Sequence, residues 1–302
     1  TFTTGIFRTW YGMYDIETAM QLASLLLLFA ITLIIIERYS RRNASYSNAM
    51  SLYKPLSHEK LRGFKNFLAF SACFIPIFVG FILPVVELTY WALNYKLDFF
   101  NEKFISTAWN TFYLAIIAAF FCSVLAVLIN FSIRYKSNNY LKFMSSFLTV
   151  GYAVPGLILA IGVMQMLTFI DKSFVSNIPN IVFTGSIFGL VLAYIIKSYA
   201  LSNSTIDAGY QRINERIDDV ARTLKTSGWS LLSQVHLPLL KTSFLTSMLL
   251  VVSEVIKELP ATLILRPFNF DTLAVYTYIY AAEERMYDAA APSIAIVMVG
   301  LI

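Results

Sequence analysis

Seven runs of apolar residues constrain this chain more than any other feature. They fall near 18–36, 67–90, 107–130, 144–168, 181–201, 240–258 and 286–302. Each is close to the roughly 20 residues that an α-helix needs to cross the hydrocarbon core of a bilayer. In hydrocarbon the backbone N–H and C=O groups need partners within the segment, so such runs fold as helices. Composition agrees, because 58% of the residues are hydrophobic and only 14% are charged, against about 25% charged in a soluble domain. The expectation is an all-α, polytopic helical membrane protein with about seven transmembrane helices.

The connections between the runs alternate in charge. Segment 37–66 carries Arg38, Arg41, Arg42, Lys54, Lys60, Arg62 and Lys65. Segment 131–143 carries Arg134, Lys136 and Lys142 without an acid, and 202–239 carries Arg212, Arg216, Arg222 and Lys225. The intervening segments hold Lys96 and Lys103, then Lys172, then Arg266 and Arg285. Basic residues mark cytoplasmic loops, so the first three segments are expected inside and the N-terminal residues outside. The net charge of +5 is accounted for by these loops and calls for no nucleic-acid partner.

Within the spans the charges sit near the ends. Glu87, Glu254, Lys257 and Glu258 are expected at outer ends and Lys197 at an inner end. The absence of mid-depth charge argues against a proton-coupled carrier or a voltage sensor, which need buried ionisable groups. Cys73 and Cys122 fall inside spans and read as small hydrophobes, and His58 and His236 fall in loops. No His/Cys cluster suited to a metal occurs. No GxxxxGK[ST] pattern occurs either, so this chain carries no phosphate-cradling loop of that kind.

The longest polar segment with a helical pattern is Ile206–Pro238. Apolar residues at Ile206, Tyr210, Ile213, Ile217, Val220, Ala221 and Leu224 recur every three or four positions and form one stripe. Gly228 interrupts, and Trp229, Leu231, Leu232 and Val235 make a second stripe before Pro238. Ala221 is small enough for close approach of a partner surface. Gly228 reaches positive φ at little cost, and Pro238 suits a helix start. Asp218 and Asp219 are expected to make exposed pairs with Arg222. A helix, turn and helix on one face of a bilayer offers a docking surface.

At Asp219–Pro238 the sequence resembles the EAA loop of ABC importer permeases. Asp219-Val220-Ala221 stands at Glu-Ala-Ala, and Val235-His236-Leu237-Pro238 at Ile-x-Leu-Pro. Lys225 occupies the family's glycine position, with Gly228 three residues later. The stretches Gly151-Tyr152-Ala-Val-Pro155-Gly156 and Lys257-Glu258-Leu-Pro260, with the following Arg266-Pro267, are similar to the fused permeases of ferric iron importers.

The resemblance implies a type I permease fold whose cytoplasmic loop, 202–239, docks a separate ABC ATPase dimer through Asp219, Val220, Ala221, Arg222, Lys225, Gly228, Val235, Leu237 and Pro238. It implies ATP and Mg on that partner and no cofactor on this chain. It also implies a periplasmic binding protein that delivers substrate, and a multi-pass location in a bacterial inner membrane. Tyr152, Pro155, Gly156, Glu254, Lys257 and Glu258 are candidate pathway or gate residues, with Pro155-Gly156 breaking a span where a pathway is lined.

Such fused permeases have two homologous halves. Here Thr1–Thr4 with Phe7 and Tyr14-Asp15 resemble Thr272–Val275 with Tyr278 and Tyr287-Asp288. The chain is therefore expected to be a fragment: 1–36 as the end of a first half, 37–66 as a cytoplasmic linker, and 67–302 as a second half with its last span truncated. Ferric iron is the expected substrate. Thiamine, a polyamine or a phosphonate is the nearer alternative, and an ATP-independent carrier or channel the more distant one.

Overall fold

The computed structural model describes residues 2–41, 62–94, 101–136, 138–175, 182–214 and 216–301. Among these residues the regular structure is helical throughout. A short α1 (Phe2–Phe7) precedes α2 (Ile16–Arg41), and α3 spans Phe64–Asn94. Then come α4 (Glu102–Tyr135), α5 (Asn139–Leu148), α6 (Gly156–Ile170) and α7 (Ile187–Gln211). The short α8 (Arg216–Thr223) leads to α9 (Trp229–Ile256), which includes an i→i+5 turn at Leu232–His236. The chain finishes with α10 (Pro260–Leu265), α11 (Leu273–Ala282) and α12 (Met286–Gly300). Six of these helices are long and apolar enough to cross a membrane, α6 together with the wider turn Asp171–Val175 that continues it, and the shorter α12 stands where the seventh span is expected.

Helix starts follow side-chain caps. Asn101, Asn138, Ser186 and Thr272 accept backbone N–H bonds at the first turns of α4, α5, α7 and α11, and Asp15 does so for α2 through the Thr18 N–H. Each satisfies a donor that the helix itself leaves open.

The core is built by α4, α7 and α9. Ala115, Ala118, Ala119, Cys122 and Ala126 are fully buried and form a small-residue stripe that lets helix backbones approach closely. Cys122 lies against the Ile195 carbonyl and Asn130 against Asn203, so α4 and α7 run parallel. His236 meets Phe131 and Tyr210, while Ser247 bonds Ser123 and Ser202. α9 is therefore antiparallel to both. The three buried hydroxyls satisfy one another across the helices, each bond being 2.9 Å. At the start of the chain, Ile6, Ala19 and Ala23 pack with Ile161 of α6.

Several boundaries differ from the sequence reading. The span expected over 144–168 is broken: α5 passes into a tight turn at Thr149–Ala153, and α6 starts after Pro155. The span expected over 181–201 extends to Gln211, and the next helix begins at Trp229 rather than near 240. The connection expected over 202–239 therefore narrows to 212–228. Pro238 stands in the first turn of the α-helical stretch Leu237–Ile256, as expected of a helix start, although that stretch continues α9 from the wider turn before it. The i→i+5 turn just before it accommodates a residue that cannot donate to the ladder. Most of the linker expected over 37–66, residues 42–61, lies outside the described residues.

Candidate functional site

The 212–228 connection is fastened by one side chain. Arg134, near the end of α4, donates from Nη1 to the Tyr210 and Ile213 carbonyls at 3.0 Å each, and from Nη2 to the Asn214 carbonyl at 3.2 Å. The Tyr210 and Asn214 carbonyls also accept the Ile213 and Ile217 N–H groups, so Arg134 adds a charged donor at the helix end and in the turn beyond it. The same guanidinium grips Asp218 of α8, with Nε 2.7 Å from Oδ2. Arg134 thus caps one helix and anchors the next. His236 is fully buried behind this pair, between the Phe131 and Tyr210 rings. Its Nε2 lies 3.3 Å from Asp218 Oδ1, close, but not aligned as a hydrogen bond.

The expected apolar stripe divides at this anchor. Ile206 and Tyr210 pack inward on α7. Beyond the turn Val220 is 59% exposed, Leu224 74% and Trp229 71%, which leaves an apolar face on the outside of α8 and its exit. Two expectations are corrected. Ala221 is 6% exposed, so its small size serves the chain's own packing rather than a partner. Asp218 is buried with Arg134 instead of pairing on the surface, whereas Asp219 and Arg222 remain a loose exposed pair at 3.9 Å. Spacing held the clue: Asp218 is three residues before Ala221 and shares its face.

Both Lys225 and Gly228 take positive φ, 60° and 58°. The Thr226 N–H bonds the Ala221 carbonyl and the Lys225 N–H the Arg222 carbonyl, the paired bonds of a helix closed by a left-handed residue. The family's glycine position therefore keeps its glycine-like conformation although lysine occupies it, and Gly228 begins α9. Of the remaining loop residues, Val235 is half-buried, and Leu237 and Pro238 are exposed. Arg222 lies over the Tyr135 ring.

The second cluster joins residues that the sequence reading set at opposite ends of the membrane. Lys197 and Glu258 form an ion pair, with side chains 17% and 6% exposed. The correction follows from α7, which runs from Ile187 to Gln211. At 1.5 Å per residue Lys197 is about 15 Å from its start and about 21 Å from its end, near the middle of a core roughly 30 Å thick. The two charges are therefore not at opposite ends of their spans but meet as a compensated pair partway along α7.

Two helix breaks converge on it. α9 ends at Ile256 and α10 begins at Pro260, and Glu258 Oε1 accepts the Ala261 N–H at 3.3 Å. The break before α6 brings Gly151 and Gly156 onto the same turn of α7. A Cβ on Gly151 would stand 2.3 Å from the Ile196 carbonyl oxygen, and one on Gly156 would stand 2.8 Å from Glu258 Oε1. At 151 only glycine fits against the neighbouring backbone, and at 156 a methyl group would have to displace the Glu258 carboxylate. Beside it Pro155, Gly156, Leu157, Leu259 and Pro260 line a cleft of about 290 Å³ with Thr4, Leu263 and Tyr278.

Of the expected pathway residues, then, Pro155, Gly156 and Glu258 come together. Tyr152 is exposed on the preceding turn. Glu254 and Lys257 pair with each other at 2.9 Å, with Lys257 largely exposed, apart from the Lys197–Glu258 contact. Arg134, His236 and Lys197 carry geometry that charge counting along loops does not reveal.

Among the described residues the helices thus form a multi-pass bundle inside which two broken helices meet. The sequence profile of the binding-protein-dependent transport system inner membrane component family matches residues 123–302, and the chain belongs to that family.

Relatives include the Fe(3+)-transport system permease protein FbpB 2 of Haemophilus influenzae, 26% identical over 301 residues covering 97% of this chain and 56% of the relative. The putative ferric transport system permease protein FbpB 1 of the same organism is 26% identical over 249 residues, 78% of this chain and 38% of its own length. The chain thus spans about half the length or less of these two relatives. A putative 2-aminoethylphosphonate transport system permease protein, PhnV of Salmonella typhimurium, is 24% identical over 213 residues, 69% of this chain and 77% of the relative. Among solved structures, a bacterial alginate ABC transporter in complex with an alginate pentasaccharide-bound periplasmic protein superposes with a TM-score of 0.62 at 15% identity. It covers 78% of this chain and 91% of the neighbour's, a likeness of fold.

Proposed function

We propose that this chain forms part of the membrane pathway of an ATP-driven importer, with α8 as the helix that docks an ABC ATPase dimer on the cytoplasmic side. The observation that carries this reading is the asymmetry of the loop. One face of α8 is locked to the bundle through Arg134–Asp218, while Val220, Leu224 and Trp229 are left outward. A helix so fixed can transmit force, and its bare apolar face suits a partner cleft. Basic residues in the same segment support a cytoplasmic placement, and the N-terminal residues are then periplasmic. ATP and Mg belong to the partner, and a periplasmic binding protein delivers the substrate.

Ferric iron is the substrate we favour, since two relatives that align with most of this chain carry ferric transport names. The match to the phosphonate permease keeps that anion as the second reading. The pairings α1–α2 and α11–α12, each a short helix followed by a longer apolar one, support reading the chain as the end of one permease half followed by a second.

The test uses the full-length permease expressed with its neighbouring ATPase and binding protein. Val220→Glu with Leu224→Glu should abolish ATPase co-purification and uptake while membrane levels of the permease stay unchanged. Retained uptake would overturn the docking reading. Uptake of radiolabelled ferric iron decides the substrate, and uptake of 2-aminoethylphosphonate or thiamine without iron would overturn the iron assignment.

A further inference from the structure

We propose that the Lys197–Glu258 pair is a mid-membrane clamp that holds the two helix breaks closed against α7, and that movement of α8, carried along α7, parts it during transport. The proposal rests on the importer reading for the source of that movement.

Three elements meet at the pair and are otherwise unconnected in sequence. Lys197 is on α7, Glu258 is in the break between α9 and α10, and Gly156 opens α6 after the break at Pro155. Glu258 serves two of them at once. One carboxylate oxygen takes the Lys197 ammonium and the other accepts the Ala261 N–H of α10. Gly156 leaves no room for even a methyl group beside that second oxygen. The Ile196 carbonyl, one residue from Lys197, abuts Gly151 on the near side of the same break. Parting the ammonium from the carboxylate therefore loosens the start of α6 and the start of α10 together on one turn of α7, with the Tyr194–Thr262 hydroxyl bond at 2.6 Å left as the pivot between α7 and α10, and the adjoining cleft lined by Pro155, Leu259 and Pro260 would widen. At its other end α7 is fixed through Arg134 to α8. Any displacement of α8 thus reaches Lys197 through an unbroken helix.

Buried ion pairs give up little when both partners become neutral but leave a costly charge when only one does. That property allows a test which separates a clamp from simple packing. In the full-length permease with its ATPase, and with Cys73→Ser and Cys122→Ala removing the native thiols, Leu259→Cys reports access to the cleft by a charged, membrane-impermeant thiol reagent. Without ATP the otherwise unchanged chain should label slowly. The isosteric variants Glu258→Gln and Lys197→Met, and the two combined, should each raise the labelling rate about tenfold or more, as the open state gains population. Gly156→Ala, which keeps both charges but pushes the carboxylate away, should do the same. The double variant leaves no unpaired charge and should assemble normally, so it remains informative if a single variant does not reach the membrane.

Unchanged labelling in the double variant and in Gly156→Ala, with the ATPase bound, would overturn the clamp. Failure of the ATPase to co-purify with the unchanged chain would instead overturn the importer reading, and the labelling response without ATP would still decide the clamp.

Discussion

Two buried ion pairs lie about 20 Å apart along α7, and their surroundings differ. At Arg134–Asp218 the guanidinium also holds the carbonyls of Tyr210, Ile213 and Asn214. The arginine is therefore a fastener for backbone as much as a counter-ion, and the planar fork of Arg suits that role where a lysine would not. At Lys197–Glu258 the charged groups' own described hydrogen bonds beyond the pair come down to one, from the Ala261 N–H, and the neighbours are helix breaks rather than helix interiors. The first pair is fastened to three carbonyls at the end of α7 and in the turn beyond it, in addition to the backbone bonds that two of them accept. The second joins segments that each already have a discontinuity at which to bend. Similar chemistry thus makes an anchor in one place and a separable contact in the other.

The contrast can be tested by substitution. Asp218→Ala should have the largest effect, a loss of about 3–5 kcal/mol, because it strands a buried guanidinium; thermal unfolding of the purified permease in detergent measures it. Replacing both partners should then distinguish the pairs. Arg134→Met with Asp218→Leu should still lose about 2–3 kcal/mol, since three carbonyls lose their bonds to a charged donor. Lys197→Met with Glu258→Gln should change stability by less than about 1 kcal/mol. Equal losses in the two doubles would erase the distinction. Gly151→Ala should cost about 1–3 kcal/mol by forcing a methyl group toward the Ile196 carbonyl, read from the same unfolding curves. Smallest of all, Lys225→Gly should gain about 0.5–1 kcal/mol by relieving a left-handed lysine, without altering ATPase co-purification.

Much of the fold was legible because apolar run length and loop charge report on the bilayer directly. The short helix α8 and the turn after it were legible through spacing and glycine. What failed was depth. Ser198, Ser202 and Ser247 are buried in the bundle, yet the short polar residues around 198–205 made the α7 run look finished at 201. That misplaced Lys197 by half a membrane and hid its partner. Hydroxyls that bond one another or a carbonyl of their own helix cost little in the core, so hydropathy underestimates how far such a helix continues. The Arg134 contact was illegible for another reason. Its partners are mostly backbone carbonyls, which every residue carries and no sequence pattern marks.

Because α7 passes without a break from Lys197 to Gln211, it can act as a lever about 21 Å long. Tilting such an arm by roughly 10° about its α8 end shifts Lys197 by nearly 4 Å, more than the span of an N–H···O contact. A rotation that would scarcely register at α8 is enough to take the ammonium out of reach of Glu258. Sensitivity at the centre of the membrane is then set by the length of one uninterrupted helix, and a proline placed between 200 and 208 would blunt it while leaving both ends of the lever intact.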